Sequence, residues 1–525
     1  MAEVTTTPHD PGTTTSAAAP IQRTPVTVSG DQSFPEGFTV PAGESWVFDP
    51  EVDTTVTVSA NVVVLGQLVM QPASEDVEHV LVFEGVDESA FVGGGMDPLP
   101  SDVGLWVMGD GQLLIEGEEK TAWGYEYDPA WAGDEVVAAP NDPSDYVGFE
   151  PVTATPPLNE LGYPTELMNL TRNVRIEGTP EGYTHVFLRS TRPQTIRYAA
   201  LRYMAPGFGD SHQTGRYGLH FHMAGEGSRG SVVEGVVIRD ARNHAFVPHA
   251  SHGMTFRDTI AFNVLNEAYW WDPAPDDGDT SNDTNDLVWD RAVAAGVDLG
   301  NAGNEYRLTA FFLGNGVNMT VSDSVAVGVR SSDGSDRSGF LWPEDAFAVW
   351  KFENNIAHNN EGNALFVWQN NSLTHPVNGF TAYYNGGAGV ENGAYENAYQ
   401  YKDLTLLENG VAVVSHALGT ESEDADTQIW SDIVSNGGTL FIDEHATAPE
   451  VPVRFVNCDF GQVVVGDGDG AEPSEYDFVN CGLEPGDFDL SSALDASVFR
   501  VQNQDGTAYK LRGDGSVTEI TAFYD

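Results

Sequence analysis

The sequence predicts an all-β protein whose larger part is a parallel β-helix, and three observations carry that expectation. The chain has 525 residues, with 56 Gly and 29 Pro to make turns. Val, Thr and Phe supply strands, and no long amphipathic helical period stands out. Short segments also recur. Val237-Ile238-Arg239-Asp240-Ala241 returns as Thr255-Phe256-Arg257-Asp258-Thr259, an offset of 18, and Phe455-Val456-Asn457-Cys458 returns as Phe478-Val479-Asn480-Cys481, an offset of 23. Finally, looser relatives at 256–263, 321–328 and 352–359 share alternating apolar residues followed by Asn or Gly. A constant strand core with variable spacing suits stacked coils whose insertions leave through the turns.

The elements follow in order. Residues 1–24 are rich in Thr, Pro and Ala without periodicity and read as a flexible arm. They carry neither a basic n-region nor an apolar h-region, so they do not read as a secretory signal. The chain is then expected to be either a mature fragment or a protein that leaves the cell as part of a particle such as a phage virion. Residues 25–142 hold short strands and turns and read as a compact β domain, with a hairpin turn expected at Asp110-Gly111. Residues 143–173 continue an aperiodic, Pro- and aromatic-rich stretch that begins near 118, an irregular connection packed on the next domain. Residues 174–490 carry the β-helix. Asn at its turns tolerates left-handed backbone, and stacked Asn side chains bond between coils. Residues 491–525 contain Asp505-Gly506 and Asp514-Gly515, two turn signals between short strands, and read as a β cap over an otherwise open edge.

The two cysteines, Cys458 and Cys481, fall one coil apart and form either a reduced stacked pair or a disulfide. The net charge of −56, with 23 Lys and Arg against 79 Asp and Glu, argues against nucleic acid and anionic membrane as partners. No run reaches the ~18 apolar residues of a membrane span. Such a surface also reads as an adaptation to salt.

Candidate chemistry concentrates in residues 215–272, which hold five of the 13 histidines. His220 and His222 are two apart on an expected strand, so both face one way, a common metal-ligand arrangement. His244, His249, His252 and Asp272 can approach from neighbouring coils, and His220, His222, His244 and Asp272 form the candidate ligand set, for zinc or calcium. The same histidines also serve as hydrogen-bonded structural rungs. Arg239, Asp240, Arg257 and Asp258 are expected on equivalent rungs, as a salt-bridge ladder. Asp240 and Asp258 are alternatively a catalytic carboxylate pair for glycoside hydrolysis. Trp270 and Trp271, with Arg239 and Arg257, are the candidate substrate-binding residues. The acidic loop that runs on from Asp272 does not have EF-hand spacing.

Residues 215–225, with HFHMAG at their core, and 256–263 resemble the family of the cell migration-inducing hyaluronan-binding protein, as do 184–204. The segment GLWVMGDGQLLIEG at 104–117 looks like part of that family's G8 domain. The resemblance implies a right-handed, single-stranded parallel β-helix preceded by a G8-like domain at 25–142, with a role in polysaccharide binding or depolymerisation. A second resemblance is shorter. FRVQNQDGTAYKLRGDGSV at 499–517 is similar to segments near the ends of phage tail fibre and minor tail proteins, which implies a homotrimer and other tail proteins as partners. The expected function is therefore a virion tail component or tailspike that binds, and in one reading cleaves, a host surface polysaccharide. The alternatives are a secreted, extracellular glycan-depolymerising enzyme and a non-catalytic adhesion protein.

Overall fold

In a computed structural model the protein is a single-stranded parallel β-helix. The structure describes residues 21–207, 215–271, 283–298, 309–331, 337–343, 348–368, 374–393, 398–417, 428–444, 451–467, 471–521 and 523. Each coil contributes one strand to each of three faces until Ala398–Leu407, from which point one continuous strand spans the first two faces. Thr24–Val28, Gln32–Phe34 and Phe38–Val40 make the first coil, and Glu44–Phe48, Thr54–Val58 and Val62–Val64 stack on it in parallel register.

The register shows why the sequence folds this way. On the first face one inward column runs Ile196, Val233, Phe256, Trp289, Val321, Phe352, Val377, Tyr401, Trp430, Phe455, Phe478, Val501. All twelve are buried. The second face narrows to small residues, with Ala261, Ala294, Ala326, Ala357 and Ala382 on successive rungs. The third face stacks aromatic rings: Phe246, Tyr269, Phe311 and Phe340 lie 5.0, 4.5 and 4.7 Å apart, nearly parallel. Large side chains on two faces meet alanine on the other, and the three faces share one buried core.

Corners are marked by left-handed backbone. Between the first and second faces, Tyr198, Gly235, Asp258, Arg291, Asp323, Asn354, Gly379, Asp403, Asp432, Asn457 and Asn480 all have positive φ. A second such column ends the second face, at Tyr203, Asp240, Asn263, Gly296, Gly328, Asn359, Tyr384 and Glu408. Asp, Asn and Gly predominate because they reach this region at low cost. The expected Asn bonding is present: Asn360 and Asn385 donate to Asn385 and Asn409, each at 2.8 Å.

These columns correct the significance of the 18-residue repeat. Val237–Ala241 is a second-face strand, whereas Thr255–Arg257 is a first-face strand. The offset of 18 therefore compares two faces, each a strand plus its corner. The offset of 23 is a true coil, because Phe455 pairs with Phe478. Cys458 and Cys481 follow the same offset and are free and buried.

Two further differences concern the N-terminal half. Leu105–Gly109 belongs to the third face and Gln112–Glu116 to the first, both in parallel ladders. Asp110-Gly111 is thus a coil corner, not a hairpin, since a G-D-G turn serves either geometry. The parallel ladders start at Thr24 and run to Glu116, and they join His79–Phe83 to Val174–Glu177 and Gln112–Glu116 to Thr195–Arg197. Between those strands the chain leaves through one corner. It forms an antiparallel sheet of Trp123–Gly124, Leu167–Asn169, Val136–Ala138 and Glu150–Pro151, more ordered than the expected connection. Its Trp123, Val137, Met168 and Leu170 pack on the outward residues Ala200, Val237, Ile260, Val293 and Val325 of the second face. That face reads apolar on both sides because it is covered on both sides.

At the other end Val498–Gln502 pairs in parallel with Glu475–Val479 and antiparallel with Ala508–Arg512, which pairs with Val517–Glu519. The expected cap is present, with its turns at Gly506 and Gly515. Buried Glu444 accepts from Ser497, Tyr476 and the Leu494 amide, which ties the cap to the coils.

Candidate metal centre

The third face carries the histidines. Leu219–Gly225 pairs in parallel with Phe246–Ser251, and the register sets His222 opposite His249. His220 and His222 point the same way because they are two apart on a strand. His222 Nδ1 stands 3.3 Å from His220 Nε2 and 3.2 Å from His249 Nδ1. One ring nitrogen from each of the three lies within 4.8 Å of the others. The register breaks just past the histidines, between His222 and Gly225. Met223 and Ala250, one on each strand, have positive φ at 48° and 44°. Neither has a side chain that favours this region, so the surrounding fold imposes it, as at many functional sites.

The support behind the cluster is built from buried charge. Arg216 and Asp102 pair at 2.7 Å, both side chains fully buried. Asp102 also accepts from Ser101 and from the Val92 and Gly93 amides. Arg216 donates to Gly94 O and lies 4.6 Å from the Trp106 ring. This fixes the chain at 215–217, where the Gly215 carbonyl sits 2.9 Å from His220 Nδ1. A carbonyl accepts, so Nδ1 carries the proton and Nε2 keeps its lone pair toward the other two rings. Burial holds the His220 pKa well below its ordinary value, helped by His222 and His249, so the ring is neutral at physiological pH.

These features fit a transition metal. Neutral imidazoles with one ring nitrogen bonded to a backbone carbonyl are the usual ligands. Tetrahedral zinc with bonds of 2.0–2.1 Å spaces its ligands about 3.3 Å apart, close to the two nitrogen separations here. Three histidines leave a fourth position open, and calcium, which takes oxygen ligands, suits them poorly.

The structure redistributes the remaining expected residues. His244 is not in the cluster. Its Nδ1 faces Glu267 at 3.1 Å and its ring stacks on Trp270, with Tyr217 between it and His220. His249 takes the third place instead. Asp272 lies outside the described residues, as does the acidic loop through residue 282. Asp286 and Asp290 of the same stretch pair with Arg229 and Arg257. Trp270 is half-buried, whereas Trp271 is buried against Phe312 and Leu341. Asp240 and Asp258 occupy different corner columns. Asp240 pairs with Arg239 and accepts from Asn263, and Asp258 pairs with Arg291. Arg239 also reaches Glu135 of the packed sheet. The salt-bridge ladder exists on the first face, but as Glu116, Arg197, Glu234, then Arg257 and Asp290. Arg216, Asp102 and Glu267 were missed by sequence reasoning. Only the basic residue just before YGLHFH offered a signal for one of them.

A parallel β-helix with three histidines converging on one face is the class that this fold and cluster define. Residues 185–281 match the family described as CEMIP beta-helix, a stretch that includes all three histidines of the cluster. No curated protein matches the chain. Among solved structures the chain is similar to the receptor-binding protein of bacteriophage Det7, described as a podoviral tailspike in a myovirus. The identity is 10%, over 93% of this chain and 81% of that chain, with a TM-score of 0.25. The fold rests on the strand register and not on that overlap.

Proposed function

We propose that the chain is a glycan-binding β-helix protein of a virion tail, with His220, His222 and His249 holding a divalent transition metal at its binding face. The observation that carries the metal is the convergence of three imidazole nitrogens from two adjacent coils. A metal held by these three histidines would supply Lewis acidity. The chain's own residues hold the ligands: Gly215 sets the His220 tautomer, and the Asp102–Arg216 pair fixes Gly215. The tail setting is supported by the resemblance at 499–517 to tail-fibre ends, a segment that here forms the antiparallel cap. Homotrimerisation and contact with other tail proteins go with that setting. A second reading, a secreted enzyme that depolymerises polysaccharide, is favoured by the family match at 185–281, and a G8-like start at 25–142 belongs with it.

Elemental analysis of purified protein tests the metal. One equivalent of zinc or a similar ion is expected, falling to near zero in His222→Ala and His249→Ala. Unchanged content in both variants would rule the cluster out. Purified virions that contain the protein support the tail setting, and oligosaccharide released from host envelope glycan favours the enzyme.

A further inference from the structure

Beside the histidine cluster lies a second group of side chains that the metal leaves unused. His244 and Trp270 stack face to face, ring centroids 3.7 Å apart at 17°. His244 Nδ1 stands 3.1 Å from the Glu267 carboxylate, and both side chains are nearly fully buried. The Asn266 amide donates to Asn243 Oδ1 at 3.2 Å and lies 3.5 Å from His244 Nε2. Tyr217 meets His244 at 4.9 Å and Trp270 edge-on at 5.4 Å. Trp270 itself is only half-buried.

The buried carboxylate and the imidazole lie within ion-pair distance, although His244 Nδ1 and Glu267 Oε2 make no hydrogen bond of good geometry. The imidazole in turn braces the indole, leaving it a rigid, half-open aromatic plate. The half-buried Asn243 amide stands near it, with the Asn266 amide and the stacked imidazole buried behind. A rigid aromatic surface with a few convergent polar groups fits a sugar ring, whose C–H face stacks while its hydroxyls find hydrogen-bond partners. We propose that Tyr217, Asn243, His244, Asn266, Glu267 and Trp270 form a saccharide subsite for a neutral, hydroxyl-rich sugar. Charge decides against a uronate. The group includes a carboxylate and neither lysine nor arginine, on a chain of net charge −56. This subsite rests on the glycan-binding reading and narrows its substrate class.

The test uses the intact protein with neutral chito- and galacto-oligosaccharides and with uronate-containing hyaluronan oligosaccharides, measured by calorimetry. Neutral sugars are expected to bind. Trp270→Ala should lose at least about tenfold in affinity, equivalent to about 1.4 kcal/mol, while Trp270→Phe keeps most of it and metal content stays unchanged. Trp270→Phe, with wild-type melting, guards against a misfolded Trp270→Ala, and Asn243→Ala should weaken binding with a modest fall in melting temperature, because it removes the acceptor of the Asn266 amide. Full affinity in both alanine variants, or preference for the uronate sugars, overturns the subsite and leaves a glycan-binding protein. Absence of binding to every sugar overturns the subsite and the glycan reading together, while the metal assay is unaffected.

Discussion

Asp240 and Asp258 owe their identity to backbone geometry. Both sit at corners with positive φ, 56° and 50°, where Asp and Asn are tolerated and branched residues are not. Asp258→Asn should therefore cost no more than about 1 kcal/mol, the value of its half-exposed pair with Arg291. Asp258→Val should cost more, because its branched side chain resists the left-handed region. Denaturant melts of the two variants measure the difference. If both Asp240→Asn and Asp258→Asn abolish glycan cleavage while melting normally, the corner account is incomplete. His416 shows charge used across coils. Burial lowers its pKa, but hydrogen bonds to Asp443 at 2.9 Å and Glu391 at 3.3 Å outweigh this and hold it at about 9. The folded value lies above the unfolded value of about 6.5, so its contribution is complete below pH 6.5 and disappears as pH rises through 9. The stability gap between wild type and His416→Ala should close over that range. A gap that stays constant to pH 10.5 contradicts the assignment. At this scale the sequence showed residue types but not partners. His222 and His249 are 27 positions apart, and only the coil length between them makes them neighbours.

At the scale of elements, the strand cores were legible because apolar alternation is local. The corners were legible in composition but ambiguous in geometry. Gly111 illustrates this: a Gly after Asp serves a hairpin or a coil corner equally. Here a side chain at Gly111 would run into the Val64 carbonyl of the neighbouring coil. Gly111→Ala should therefore destabilise by about 1–3 kcal/mol, as overpacked sites do. Gly486, where a Cβ would meet open space, should accept alanine with little change. Thermal unfolding of the pair checks this, and equal stability would mean that the coils separate more easily than their register suggests. The packed sheet at 123–169 escaped the sequence because its strands are two or three residues long and leave no period to read. Its cover was nevertheless encoded in the second face, where Val237, Ile260, Val293 and Val325 are apolar and outward.

For the whole molecule, the net charge of −56 acts against compactness, and salt screens it. The melting temperature should rise with added salt from about 0.05 M to 1 M, as the Debye length falls from about 14 Å to 3 Å. A flat response would show that the paired columns, such as Glu116, Arg197 and Glu234, already neutralise the repulsion that matters. The sequence by itself determined the β-helix, its cap and the concentration of histidines in residues 215–272, because repeats, turn residues and apolar alternation are local signals. Tertiary structure alone decided which histidines converge, that the 18-residue repeat compares different faces of successive coils, and that His244 belongs with Glu267 and Trp270. The physical reason is coil length. Side-chain neighbours in a solenoid lie one coil apart, and coils here range from 20 residues between Val26 and Trp46 to 45 between Leu68 and Leu113, with 81 between Ile115 and Ile196 where the packed sheet intervenes, so register is settled only when the ladders close.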